Sequence, residues 1–205
     1  TSLSLRETLA DVERDLFQRN RVDSTLTAER NLVIAELKEL IKAFFYEDLI
    51  DSIYRKIDPH PSLKKVEFLP DFETSDRPGL NIVLSDGAGD SVSPILYFSA
   101  AQLNILSLSV FLAGALHAKD DDGNPLDVIM IDDPIQSMDS INVLATIDLL
   151  RSISVRFDKQ IIISTHDENF FGLLQRKIPS EVLGSKFLKL EKFGVVAPVE
   201  PLANQ

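Results

Sequence analysis

Between Phe98 and His166 the sequence sets out four groups of residues able to do phosphate chemistry. In Val128-Ile129-Met130-Ile131-Asp132-Asp133-Pro134 an apolar run ends in two carboxylates. Ligands of open α/β sheets collect beyond the carboxyl ends of the strands. A carboxylate there can hold magnesium, a hard cation that takes oxygen ligands and keeps several waters. A second carboxylate beside it can orient or deprotonate an attacking water. The plainer alternative is a pair of acidic loop residues after a strand.

Ser137-Met138-Asp139 follows at once and opens a helix, with Asp139 placed to cap it by accepting a first-turn N–H. Ile161-Ile162-Ile163-Ser164-Thr165-His166-Asp167 is a second apolar run, ending in a histidine whose neutral ring offers one donor and one acceptor. A lone histidine after a strand is more often structural, but a second all-apolar strand brings this one near the carboxylates. Phe98-Ser99-Ala100-Ala101-Gln102 has the Ser-x-x-Gln spacing of a capping box. Such a start can simply be a good helix cap, or a phosphate site that uses its free N–H groups.

These patterns need elements to hold them. Asp127–Asp132 and Gln160–Thr165, around the apolar runs Val128–Ile131 and Ile161–Ile163, read as buried strands, with helices over about 140–157 and 167–177. Strand, helix, strand, helix with all-apolar strands predicts an α/β architecture with parallel pairing. Ala100 to Ala118 reads as a helix apolar nearly all round, and so buried. Upstream, Val66–Leu69, Leu80–Leu84 and Ile95–Phe98 are strand candidates among Pro and Gly turns. Phe187–Glu191 and Val195–Val199 predict a hairpin across Gly194.

Residues from Leu3 to about Ile57 read as helical. Leu9, Val12 and Leu16 start an apolar stripe that resumes with Leu37, Leu40, Ile41 and Phe44 after a polar break over Arg19–Thr27. Two amphipathic helices of a bundle, or the end of a long coiled coil entering a globular head, both suit this pattern. Asp58-Pro59-His60-Pro61 is a helix stop. Lys119–Asp127 reads as a solvated acidic turn, and His60 and His117 as surface or turn residues without metal-spaced partners.

The chain has 205 residues, 44% hydrophobic and 26% charged, which is enough for one domain with an extension. Its net charge of −11 argues against a chain that grips a polyanion over its whole surface. It has no cysteine, which excludes disulfides, thiolate metal sites and cysteine nucleophiles. Glu7, Asp11, Glu13 and Asp15 are contrary to a secretion signal. The run Ile105–Leu116 falls short of the roughly 20 apolar residues of a membrane helix.

Together the four patterns resemble the C-terminal half of an ABC-type ATPase head, in the SMC-like branch that includes RecN- and RecF-type proteins. Phe98–Gln102 is similar to the signature motif, Val128–Asp133 to Walker B, Ser137–Asp139 to the D-loop and His166 to the H-loop histidine. The resemblance implies a helical end of a coiled-coil arm over 1–57 and the C-terminal lobe of the head over 58–205. It implies an ATPase with ATP and Mg2+ as cofactors. Asp132 would hold the metal shell, and Asp133 and His166 would be catalytic, as general base and γ-phosphate contact. Ser99, Ala100, Ala101, Gln102 and Asp139 would meet nucleotide across a dimer of heads. It further implies DNA as the large substrate, a second head as partner, an accessory or nuclease subunit, and a cytoplasmic, nucleoid-associated protein free of membranes.

The sequence departs from that pattern in three places. It has no Gly-Lys dipeptide, so the phosphate loop is expected on a separate chain or segment, without which this chain is inactive. Asp133 stands where a glutamate is usual. Ala100-Ala101 stands where two glycines are usual. A clamp that binds but rarely hydrolyses, and a metal nuclease using Asp132 and Asp133 directly, are the competing expectations.

Overall fold

A computed structural model describes residues 2–58, 65–71, 79–85, 91–192 and 194–197. Pro59, His60 and Pro61 of the expected helix stop, and the last two residues of the expected second hairpin strand, lie outside the described residues.

The chain divides into two compact units, Thr1–Phe44 with Leu69–Leu80, and Phe45–Phe68 with Asn81–Gln205. In the first, α1 (Ser2–Phe44) is one uninterrupted helix. The polar stretch 19–27 does not break it. Asp15 pairs with Arg19 one turn away at 3.3 Å, and the Ser24 and Thr25 hydroxyls donate to the Arg21 carbonyl. Polar residues cost a helix little when no core lies beneath them. Leu9, Val12, Leu16, Leu26, Val33, Leu37, Leu40 and Phe44 stay exposed, three, four, seven or ten apart, so that all fall on the a and d positions of one heptad series. That is the seam a coiled-coil strand presents to a partner.

In the second unit, the helical break falls at Tyr46, which adopts a left-handed conformation (φ 55°) before α2 (Glu47–Ile57). Ile50, Ile53, Tyr54 and Ile57 bury one face of α2 against α4 (Ala100–His117) and α5 (Ser140–Phe157). Two buried carboxylates fasten α2 to β1 (Lys65–Asp71): Glu47 accepts from the Phe68 N–H at 2.9 Å and Asp51 from the Val66 N–H at 3.0 Å. Lys65 sits 3.3 Å from Glu47. Desolvation lowers the lysine's pKa, but its bond to Glu47 and the charges of Glu47, Glu67 and Asp48 outweigh that and hold it above the ordinary value.

Strand β2 (Gly79–Ser85) lies between β1 and β3 (Ser91–Val92), pairing antiparallel with β3. The expected strand at Ile95–Phe98 is instead a helical turn, α3 (Pro94–Tyr97). Pro94 occupies the first helical position, where its missing N–H costs nothing, and its carbonyl accepts from the Phe98 N–H. Ile95, Leu96 and Tyr97 suit a strand by side chain, but the local backbone overrides that propensity here.

Helix α4 leads through an exposed turn to β4 (Val128–Asp132), then α5, β5 (Gln160–Ser164), α6 (Glu168–Lys177) and the short α7 (Ser180–Leu183), which the sequence did not signal. In the turn, Asp120 accepts from the Asn124 backbone and side chain and the Asp122 N–H, bonds that lower its pKa. Strands β6 (Lys189–Lys192) and β7 (Val195–Ala197) form the hairpin across left-handed Gly194. Helix α4 is long and apolar enough by composition for a membrane span. Only part of it is buried, contrary to the expected all-round burial: Ile105, Leu106, Leu108, Leu112 and Ala113 are covered on the side that packs with α2, whereas Phe111 is 45% exposed.

Strands β4 and β5 pair in parallel, Val128 opposite Gln160 through Asp132 opposite Ser164. They were expected to be buried on both faces. Only one is: Ile129 and Ile131 are buried, whereas Val128 and Met130 are 47% and 68% exposed and Ile162 is 44% exposed. Two strands cannot cover their own second face, so an apolar sheet surface is left open. Behind the buried face, Val143, Ile147, Phe170 and Leu174 form a cluster with Ile135, Met138 and Ile163 against it. The turn after β4 is therefore anchored in the core at two points.

Candidate functional site at two strand tips

The parallel register is what builds the site. With Asp132 opposite Ser164, the residues just past each strand end, Asp133 and Thr165-His166, meet at one height. The Ser164 hydroxyl donates to Asp132 Oδ1. Among the described residues nothing donates to Asp132 Oδ2, and the residue is exposed.

Asp133 is different in kind. Its side chain is only 12% exposed and its backbone is left-handed, with φ 46°. Aspartate is among the few non-glycine residues that tolerate that region. Its N–H donates to the Ser164 carbonyl at 2.8 Å, which pins the turn to β5. Oδ1 accepts from the Thr165 hydroxyl at 3.1 Å. Oδ2 accepts from Gln136 Nε2 at 3.2 Å and lies 2.9 Å from His166 Nδ1. His166 is otherwise open to solvent, its side chain 85% exposed.

This contact fixes the ring's chemistry. To donate to the carboxylate, Nδ1 must carry the proton. A neutral ring then turns a bare Nε2 acceptor outward. Only the doubly protonated ring offers Asp133 and an incoming phosphate oxygen a donor each.

Helix α4 begins with the full capping box. The Gln102 N–H donates to Ser99 Oγ at 3.3 Å, and the Ser99 N–H to Gln102 Oε1 at 3.1 Å. Ser99 and Ala100 are exposed and Ala101 is partly so. Asp139 caps α5, accepting from the Ile141 and Asn142 N–H groups at 3.0 and 2.8 Å. Asp132, Asp133 and His166 thus come together. Among the described residues, neither Ser99, Gln102 nor Asp139 is hydrogen-bonded to any of these three. The link from α4 to the turn is Asn104, whose amide donates to the Pro134 and Gln136 carbonyls at 3.2 and 3.0 Å.

Sequence reasoning missed Ser164, Thr165, Gln136 and Asn104. Two hydroxyls directly before His166 were one available signal. A carboxamide between two apolar residues of α4, Leu103 and Ile105, was another.

The residues fit magnesium held with phosphate, rather than a protein-only cage. Asp132 offers one open hard oxygen, and among the described residues no group of three or more His, Asp or Glu side chains converges on a metal position. Elsewhere, a cleft of about 520 Å3 between α5, α6 and α7 is lined by Arg151, Arg156, Arg176 and Lys177 with Asp148 and does not touch these residues.

No protein-family model matches the chain, and no curated protein matches it in sequence. Solved structures do. A structure described for ATP-driven dimerisation and DNA-stimulated activation of SMC ATPases is 17% identical, with a TM-score of 0.50 over 78% of this chain and 86% of its own. An SmcHead bound to the C-winged helix domain of ScpA is 17% identical, with a TM-score of 0.45 over 70% of this chain and 40% of its own. A Pyrococcus furiosus Smc head with an extended coiled coil, bound to the C-terminal domain of ScpA, is also 17% identical, with a TM-score of 0.44 over 72% of this chain and 34% of its own. The chain has the fold of an SMC-like ATPase head.

Proposed function

We propose that this chain is the C-terminal lobe of an SMC-like ATPase head. Completed by a phosphate-loop lobe, it closes with a second head around ATP and Mg2+ and hydrolyses the nucleotide. Opening and closing of the pair then acts on DNA, in repair, chromosome maintenance or phage defence, in the cytoplasm at the nucleoid and with an accessory or nuclease subunit. Residues 1–57 are the end of the coiled-coil arm and 58–205 the lobe. Alone, the chain is inactive, because it carries no phosphate-loop lysine.

One observation carries this reading: the register that opposes Asp132 to Ser164 puts His166 Nδ1 2.9 Å from Asp133. Bound ATP–magnesium supplies an electrophilic phosphorus whose charge is partly neutralised. Asp132, whose Oδ2 is open, would hold the metal. Asp133 would orient the attacking water and take its proton, and His166, once doubly protonated, would donate its Nε2–H to the γ-phosphate. Ser99, Ala100, Ala101 and Gln102 offer a helix N-terminus to nucleotide on the opposite head, with Asp139 across the interface. The exposed face of Val128, Met130 and Ile162 is where the phosphate-loop lobe sits.

The test is single-turnover ATP cleavage by the chain assembled with that lobe. Asn tolerates the left-handed backbone as Asp does, so Asp133→Asn removes the base without disturbing the turn. The rate should fall by about 100-fold or more. An unchanged rate removes Asp133 from the base role.

A clamp that binds ATP without turnover has one observation in its favour. Both carboxylate oxygens of Asp133 are already engaged, by Thr165 on one and by Gln136 and His166 on the other. ATP-driven dimerisation without cleavage is the outcome that selects this second reading. No observation favours direct cleavage of phosphodiesters by Asp132 and Asp133.

A further inference from the structure

We propose that Asn104 is a positioning residue that locks the turn holding Asp133 to the helix beginning at Ser99. This deepens the function proposed above and rests on it.

Asn104 stands five residues past Ser99, about 7.5 Å along the helix axis. Its side chain is partly buried in a helix whose neighbouring positions, Leu103 and Ile105, are apolar. A carboxamide there needs partners. It finds two on the turn after β4: both amide hydrogens are used, on the carbonyls of Pro134 and Gln136. Those carbonyls bracket Ile135, which is packed into the core under the turn.

The turn is not a relaxed one. It is flanked by two left-handed residues, Asp133 (φ 46°) and Ser137 (φ 62°). Such conformations persist in non-glycine residues only where the surroundings over-determine them. Asn104 is part of that determination. Gln136 then completes the path: its carbonyl accepts from Asn104 while its side chain donates to Asp133 Oδ2. From Ser99 to the Asp133–His166 pair, the connection is one helix, one carboxamide and one turn.

Two consequences follow. The Asn104 amide is taken up by the two turn carbonyls, so its loss is expected to leave ATP binding intact. It sets where Asp133 stands relative to a helix that meets the other head's nucleotide, so its loss lowers turnover. Asn104→Asp is isosteric but turns a carboxylate on two carbonyl oxygens. Asn104→Ala removes the amide without adding charge, and it decides the matter should the aspartate variant fail to fold.

The experiment measures steady-state ATP hydrolysis and ATP-driven head dimerisation in the assembled two-lobe complex. Amide hydrogen exchange over residues 133–139 is followed in the same samples. The expected result is a kcat about 10- to 100-fold lower, with KM for ATP within about twofold and dimerisation retained. Exchange should rise in 133–139 and not in the core of α5. A general structural role would instead raise exchange throughout the lobe and lower the Tm. If both variants keep kcat and the exchange pattern of the unaltered complex, Asn104 has no positioning role. If the unaltered complex does not cleave ATP, the functional reading falls and takes this role with it.

Discussion

The rings of Tyr54 and Phe98 lie parallel, their centroids 5.7 Å apart and their planes within 6°. Tyr54 belongs to α2, and Phe98 directly precedes Ser99. Helix α2 is therefore packed on the residue just before the capping box of α4. At the other end of α4, Tyr46 stacks on His117 with centroids 3.8 Å apart. Helix α2 is thus held to α4 by aromatic contacts near both of its ends.

The Tyr54 hydroxyl is buried with no hydrogen-bond partner among the described residues. Burial, then the charge of Asp58, pushes its pKa well above that of an ordinary tyrosine. The unfolded chain ionises this group near pH 10, about the usual tyrosine value. A raised pKa in the fold means stability is fully present below that point and is lost as pH rises beyond it. Tyr54→Phe keeps the stack and removes the stranded hydroxyl. We expect stability at pH 7 to be unchanged or about 1 kcal/mol higher, and a shallower loss above pH 10. Chemical denaturation at pH 7 and at alkaline pH reads both. A loss of stability at pH 7 would show that the hydroxyl has a partner after all.

The ring of His166 is expected as the Nδ1–H tautomer in the absence of nucleotide, because Nδ1 faces Asp133 Oδ2 at 2.9 Å. Nitrogen-15 NMR of labelled histidine separates the two tautomers directly. Asp133→Asn should weaken the preference, since the amide can turn either its oxygen or its NH2 to the ring. Finding Nε2–H in the unaltered protein would contradict the hydrogen bond and free the ring for a phosphate from the outset.

How much of this was legible depended on the range of the interaction. Val128–Ile131 and Ile161–Ile163 announced parallel strands because short runs apolar on both faces, alternating with helices, suit a sheet covered on both sides. Ser99 with Gln102, and Asp139, announced helix starts because capping is local. Ile95–Tyr97 was misread because the proline before it acts on backbone, while the apolar run speaks only of side chains. The partners of Thr165, Gln136 and Asn104 were not legible, although the hydroxyls before His166 and the carboxamide in α4 mark Thr165 and Asn104 as candidates. Each acquires its partner only once the strand register and the α4 packing exist, and residue type alone does not encode that pairing. The open face of the sheet was missed for a related reason: all-apolar strands predict cover on both sides without saying which chain provides it.

That open face yields the last prediction. Val128, Met130 and Ile162 form an apolar surface beside the strand tips. Isolated exposed apolar residues are ordinary, but a contiguous set on one sheet face calls for a partner. If the phosphate-loop lobe is that partner, a charge placed at the most exposed position will block assembly without harming the fold. Met130 is 68% exposed, so Met130→Glu removes little buried contact from this chain, and its Tm should move by no more than a few degrees, the shift of roughly 1 kcal/mol in a domain this size. Burying the same carboxylate against an apolar lobe without a counter-charge costs several kcal/mol, which is enough to lose the complex at micromolar concentration. Co-purification of the two lobes, read beside the melting curve of this chain, separates the cases. Retained assembly with Met130→Glu would move the lobe interface elsewhere, and loss of assembly together with a collapsed Tm would show that Met130 belongs to the core of this chain.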